Sequence, residues 1–334
     1  MKKRLLNMLC ACSLPGAMVI TPVQAEDQVS FVSLDARVQQ FMEEYDLDED
    51  SFSLAYCNTA SGEYWQYNGD TYMFAASTYK LPLNMYYYLQ ENAGNIDPDE
   101  AIGMYTLSQA HYLSIVQSDN PSSETLMYAL GSYDQYKDLM FETFGSQKYQ
   151  EEGGIDPITY QDNDYPADFL MDVLQYLYNN QDQFQQLLSY MSDPDQSNGF
   201  DNDLSQQTTV YQKQGWYDYV NDVAEIVMSD QPYLAVVMVD VEGRYDSAEI
   251  CSAANDLLYQ YNQDCIANDA PVQTAAANDE TGSSEETAQA ESTDTEDTEA
   301  AEASTENGIN WPLLAAVIGV FGGLFFLVLT ISRK

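Results

Sequence analysis

The chain has 334 residues and a formal net charge of −43, from 54 acidic against 11 basic side chains. So strong a negative charge repels nucleic-acid phosphate and excludes DNA or RNA as a partner. With five cysteines and one histidine, His111, the chain also lacks the ligand spacings of a zinc site, and no metal or cofactor is expected.

In chain order, Met1-Lys2-Lys3-Arg4 followed by an apolar run from Leu5 to Ile20 and the small residues before Ala25 predicts a secretory signal over residues 1–25. Leu9-Cys10-Ala11-Cys12 leaves a lipoprotein cleavage box open as a rival. The folded body is expected over residues 26–267, a size suited to one domain. Periodicity predicts a helix over 34–44, then strands at 52–57 and 64–67 joined by the turn Thr59-Ala60-Ser61-Gly62. A helix is expected to begin near Ser77. From about 102 to 192 the pattern is helical, with segments at 122–130, 133–144, 167–178 and 183–191. Beta structure returns in an antiparallel meander, 209–216, 220–228 and 233–241, and a helix over 247–261 closes the body. The fold class is therefore α/β in composition (α+β), an antiparallel sheet built from both ends of the domain with an all-helical lobe inserted. A site is expected where the two meet.

Residues 268–308 read as an acidic disordered linker, since 269–307 hold twelve Asp or Glu and no Lys or Arg. A transmembrane helix is expected over 309–331: Trp311–Ile331 is 21 residues without a charge, about 31 Å as a helix against a hydrocarbon core of about 30 Å. Arg333 and Lys334 in the tail, residues 332–334, place that end in the cytoplasm, so the body is expected outside a cell membrane on a single-pass anchor. Cys57, Cys251 and Cys265 remain after signal removal. Because Cys251 and Cys265 are 14 residues apart in a helical pattern, any bridge is expected to join Cys57 to one or the other.

Three short patterns carry chemistry. Ser77-Thr78-Tyr79-Lys80 puts a hydroxyl and an amine on one face of a helix start, where the dipole favours an oxyanion and Pro82 distorts the first turn. An amine so placed can act as the base that a serine nucleophile requires. Ser118-Asp119-Asn120 lies in a loop before Pro121, where helix capping is the competing explanation. Lys213-Gln214-Gly215 lies on a strand, and its glycine lets a substrate backbone approach. Each is weak alone. Between residues 26 and 308, however, the only cations are Arg37, Lys80, Lys137, Lys148, Lys213 and Arg244, and two of these six fall in the patterns. His111 as part of a Ser-His-Asp triad, Asp46, Asp48 and Asp50 as a calcium loop, and Tyr86-Tyr87-Tyr88 as a carbohydrate platform are all outweighed by ordinary packing or solvation.

The three patterns, in this order, resemble the class A β-lactamase and penicillin-binding protein family. Phe74-Ala75-Ala76 before the serine and Leu126-Met127-Tyr128-Ala129-Leu130-Gly131 after Asn120 extend the likeness over most of residues 30–265. The resemblance implies Ser77 as nucleophile, Lys80 as its base and Ser118 as a proton relay to the leaving nitrogen. It implies Asn120 as a contact to the substrate amide, and Lys213 as the group that holds the substrate carboxylate and polarises Ser118. The backbone N–H groups of Ser77 and of Trp216, the residue after Gly215, would form the oxyanion hole. Implied partners are a β-lactam or a D-alanyl-D-alanine cell-wall peptide, handled by a monomer.

Three departures from the family pattern stand out. Gln214 replaces a hydroxyl. No arginine follows on the next strand, which begins Asn221-Asp222. The loop between Gly145 and Pro166 offers only Glu151, Glu152, Asp156, Asp162 and Asp164, in no arrangement matching a deacylating glutamate. Acylation is therefore expected to outrun deacylation. The alternative is a non-catalytic module that binds or senses cell-wall peptides or β-lactams on the same fold.

Overall fold

The computed structural model describes residues 31–62, 64–146, 163–193 and 203–268. The expected signal, nearly all of the linker, the membrane helix and the tail lie outside these, as do Glu151, Glu152, Asp156 and Asp162. Among the described residues no helix is long and apolar enough to cross a membrane.

Helix α1 (Leu34–Tyr45) starts where the Ser33 hydroxyl accepts a hydrogen bond from Ala36 N, and ends at Asp46 in the left-handed region. Strands β1 (Phe52–Asn58), β2 (Tyr64–Tyr67) and β3 (Tyr72–Phe74) follow, then helix α2 (Lys80–Asn92). Residues Lys80 to Tyr88 of α2 are buried without a break, so this helix runs through the centre of the lobe rather than along its surface. The three consecutive tyrosines are part of that core: Tyr87 donates to the Leu126 carbonyl and Tyr88 stacks on His111 at 4.1 Å.

Strands β4 (Ala101–Ile102) and β5 (Tyr105–Thr106) form a small hairpin inside the span read as helical. Next come α3 (Leu107–Ile115), α4 (Asn120–Ala129) and α5 (Tyr133–Phe144), then β6 (Asp164–Pro166), α6 (Ala167–Asn179) and α7 (Gln185–Met191). Capping boxes, Thr106 with Gln109 and Ser132 with Gln135, satisfy the first free N–H groups of α3 and α5. β7 (Thr209–Tyr217), β8 (Val220–Met228) and β9 (Tyr233–Asp240) form the meander, and α8 (Ser247–Asn268) runs seven residues past the expected end.

The five-stranded antiparallel sheet has the order β2-β1-β9-β8-β7, so β1 pairs with β9 along its whole length and β7 is an edge. The pleat gives the sheet two different faces. Ala55, Cys57, Ala224, Ile226, Val236 and Met238 belong to the core cluster shared with the helical lobe. Tyr56 and Tyr233 face the other way, towards Tyr261 and Asn262 of α8. This alternation decides the cysteine question: Cys57 lies on the lobe face, while Cys251 and Cys265 are buried on α8 across the sheet. All three are free thiols.

Glu225 is fully buried, its strand neighbours Asn221 and Tyr233 share the α8 face, and burial with the nearby Asp256 charge raises its carboxyl from 4.5 to about 8. Below about pH 4.5 the folded and unfolded chains both hold this proton, so its full contribution is present. As pH rises the unfolded chain releases the proton first, and stability falls until about pH 8. Urea unfolding of Glu225→Gln is expected to show a gain over the parent at pH 8, on the order of a few kcal/mol, that vanishes near pH 4.5.

Candidate active site

The serine turn is built by backbone strain and its compensation. Ala76 stands at φ +41°, in the left-handed region, which costs a non-glycine residue about 1 kcal/mol. Two contacts hold it: Asn163 Nδ2 donates to the Ala76 carbonyl at 2.7 Å, and Ala75 N donates to the Asn163 carbonyl at 2.8 Å. The β3–β6 pairing brings Asn163 to this position. Regular α-helix begins at Lys80, not at Ser77. Pro82 has no N–H for the Thr78 carbonyl, and Leu81 N takes that carbonyl instead at 3.0 Å, while Lys80 N bonds the Ser77 carbonyl at 3.2 Å. These i to i−3 bonds make a tighter turn that delivers Ser77 to the helix mouth.

Ser118, Asp119 and Asn120 divide the labour of their loop. Asp119 is the cap of α4, its carboxylate accepting from Ser122 N at 2.8 Å. Capping and site-building therefore coexist. Ser118 is turned to φ +53°, and its neighbour Asn120 opens the helix. Both project at Lys80, whose Nζ donates to the Ser118 carbonyl at 2.6 Å and to Asn120 Oδ1 at 2.7 Å, and reaches Ser118 Oγ at 3.4 Å. Lys213 Nζ approaches the same hydroxyl, at 3.0 Å, and also donates to the Gln214 carbonyl at 2.8 Å.

Both amines are fully buried. Burial brings Lys80 down to about 8, opposed by the nearby carboxylates of Asp119 and Glu124. Lys213 is held well below the usual lysine range by burial, and the Lys80 charge pushes it lower still. A lysine near 8 is a usable proton acceptor close to neutral pH, which an ordinary lysine is not.

Ser77 is half-buried at the floor of an open cleft of about 330 Å³, lined also by Asn120, Asn163, Trp216 and Tyr217. The Ser77 hydroxyl has no hydrogen-bond partner among the described residues, and its backbone N–H is likewise uncommitted. β7 passes directly against that N–H. A Cβ built on Gly215 would lie 2.7 Å from Ser77 N and 2.9 Å from Ala76 Cβ, so only glycine fits the present spacing. Trp216, next along the strand, is 60% exposed on the cleft wall.

The structure thus brings together Ser77, Lys80, Ser118, Asn120, Lys213, Gly215 and Trp216. Lys80 hydrogen-bonds Ser118 and Asn120, with no bond to Ser77 among the described residues. Lys213 and Gln214 are both buried. His111 is occupied elsewhere, its ring nitrogens meeting Asn84 Oδ1 at 2.7 Å and Glu91 Oε1 at 2.9 Å. Asp48 bonds Asp50 N and the Ser51 hydroxyl within its own turn. Glu124 and Asn163 line the site and carry no motif. Only the spacing of Glu124, one helical turn past Asn120, offered a signal for either.

The sequence model of the Beta-lactamase enzyme family matches residues 33–262. Among solved structures, an acyl-enzyme complex of a PBP-A variant with penicillin G is similar at 18% identity, covering 70% of this chain and 98% of its own, with a TM-score of 0.57. An ancestral class A β-lactamase (GNCA) is similar at 15% identity over 67% of this chain and 98% of its own, TM-score 0.55. A β-lactamase from Chitinophaga pinensis gives 15%, 68%, 98% and 0.55 for the same measures. These likenesses establish the β-lactamase/transpeptidase fold. No curated protein sequence matches the chain.

Gly215→Ala is expected to force β7 away from the serine turn. The cost should be about 1–3 kcal/mol of unfolding free energy by urea denaturation, as for other overpacked sites.

Proposed function

Because the chain belongs to the Beta-lactamase enzyme family, whose model spans residues 33–262, we propose that it is a serine acyl-transfer enzyme acting on a β-lactam or a D-alanyl-D-alanine-type cell-wall peptide. Ser77 Oγ attacks the carbonyl carbon as the neutral Lys80 amine takes its proton. The carbon–nitrogen bond breaks, the leaving nitrogen collects a proton through the Ser118 hydroxyl, and an ester on Ser77 remains. Lys213, donating to Ser118 Oγ, holds that relay in line and makes its proton easier to release. The uncommitted N–H of Ser77 and that of Trp216 receive the developing oxyanion.

One observation carries the reading: the Ser118 hydroxyl lies within reach of two buried amines, at 3.0 and 3.4 Å, beside a serine turn. A structural role alone gives no reason to bury two of the few cations of the domain against one hydroxyl. Release of the ester needs an activated water. The sequence between Gly145 and Pro166 carries its acidic residues in no arrangement matching a deacylating glutamate, so acylation is the faster half-reaction in this proposal.

A second reading, a module that holds the same ligands without turning them over, is favoured by the Lys80 hydrogen bonds, which go to Ser118 and Asn120 rather than to Ser77. Intact-protein mass after incubation with penicillin G separates the two. The enzyme gives an adduct that Ser77→Ala abolishes, whereas the module gives no adduct at saturating ligand.

Loss of the base in Lys80→Met should slow acylation about 10²–10⁴-fold. Since the amine must be neutral to accept the proton, the wild-type acylation rate should climb with pH and level off above about 8. A rate independent of pH between 6 and 9 would remove Lys80 from that role.

We further propose, from Trp311–Ile331 and the following Arg333-Lys334, that a single C-terminal helix tethers this domain to the outer face of a cell membrane. On fractionation the full chain should pellet with membranes, and a chain ending at Asn268 should be released.

A further inference from the structure

The cleft has an uneven chemical lining. Its aromatic surface is wet rather than packed: Trp216 and Tyr217 are each 60% exposed and Tyr128 is 62% exposed. Among the described lining residues there is no lysine or arginine, and one carboxylate, Glu124.

Helix geometry sets where that carboxylate stands. Asn120, Glu124 and Tyr128 are spaced four apart on α4, so they form one stripe along the cleft, each about 6 Å beyond the last. The stripe starts at the reacting end, where Asn120 bonds Lys80, and runs outward. Glu124 is exposed and makes no ion pair with any described residue. Its charge nevertheless acts on its surroundings, stabilising the Lys80 ammonium and opposing ionisation of the Tyr79 phenol, which also lines the cleft. A carboxylate flanked by tyrosine rings is the environment in which an ammonium group is held, by charge on one side and by ring faces on the other.

We propose that Glu124, with Tyr79 and Tyr128, forms a subsite for a positively charged amine on the acyl donor, placed about one helical turn from the carbonyl that reacts with Ser77. The donor class is then a peptide with a free amine near the scissile bond, from a diamino-acid side chain or an unblocked N-terminus. Donors with a carboxylate at that point are disfavoured. This inference rests on the acyl-enzyme reading above and adds the identity of the group that selects the donor.

Three penicillins that share a core and differ in side chain make the test: ampicillin with an ammonium, penicillin G with neither charge, carbenicillin with a carboxylate. Second-order acylation rates of the full chain, followed by intact-protein mass, should fall in that order. Ampicillin should exceed carbenicillin by about tenfold or more, equivalent to about 1.4 kcal/mol. Glu124→Gln should bring the two within about twofold, and Glu124→Lys should reverse the order, both effects consistent with one charge acting at short range. Glu43→Gln, an exposed change on α1, should leave the ratio intact, separating a local carboxylate from the net charge of −43. A preference that survives Glu124→Gln, or one that Glu43→Gln reduces equally, overturns the subsite while leaving the acyl-enzyme reading in place. Absence of a Ser77 adduct with all three penicillins overturns that reading, and the subsite falls with it.

Discussion

The centre of this molecule is one hydroxyl oxygen, that of Ser118, approached by two amines that the fold has removed from water. Burying an ammonium is costly, and burying two near each other is worse, because each disfavours the charge of the other. The surrounding structure supplies what makes the arrangement tolerable. Lys80 is met by a carbonyl, an amide oxygen and the field of Asp119 and Glu124. Lys213 is met by the hydroxyl and by the carbonyl of Gln214. α2 delivers the first amine from the middle of the helical lobe, and β7 delivers the second from the edge of the sheet. The site exists only while those two layers stay docked, and the close approach of Gly215 to Ser77 N marks that docking at backbone level.

Of the five non-glycine residues with positive φ among the described residues, the two that are neither Asp nor Asn sit at this junction. Ala76 and Ser118 both occupy the left-handed region without being glycine, one immediately before the serine and the other bearing the hydroxyl that both buried amines approach. Each is held by partners from another element, Asn163 in the first case and Lys80 in the second. Strain of this kind persists only where the neighbourhood over-determines it, and here both neighbourhoods belong to the same cleft.

Much of this was legible in the sequence. From about residue 209 the chain becomes rich in Val, Ile and Tyr between short polar turns, so the helical lobe and the meander separate cleanly, and Tyr133–Phe144 and Val220–Met228 match the expected spans. The scarcity of cations made Lys80 and Lys213 conspicuous. What escaped depends on contacts between distant segments. β3 and β6 are three residues each, too short for any periodicity, and exist because they pair with each other. Asn163 follows from that pairing and so was invisible as well. A bridge to Cys57 from either helical cysteine looked open by spacing alone, until the pleat put a sheet between them.

The pairing of β1 with β9 has a consequence for how the polypeptide is made. Phe52 lies opposite Val239 and Asn58 opposite Tyr233, so the centre of the sheet is closed by segments from the two ends of the domain. A nascent chain emerging N-terminus first carries β1, paired only with β2, through the synthesis of the entire helical lobe before its second neighbour exists. During that interval a strand destined for full burial is an open edge, able to pair with whatever it meets. Newly made protein is therefore most vulnerable to aggregation before its last strand arrives, and productive folding is tied to completion of the domain rather than to its beginning.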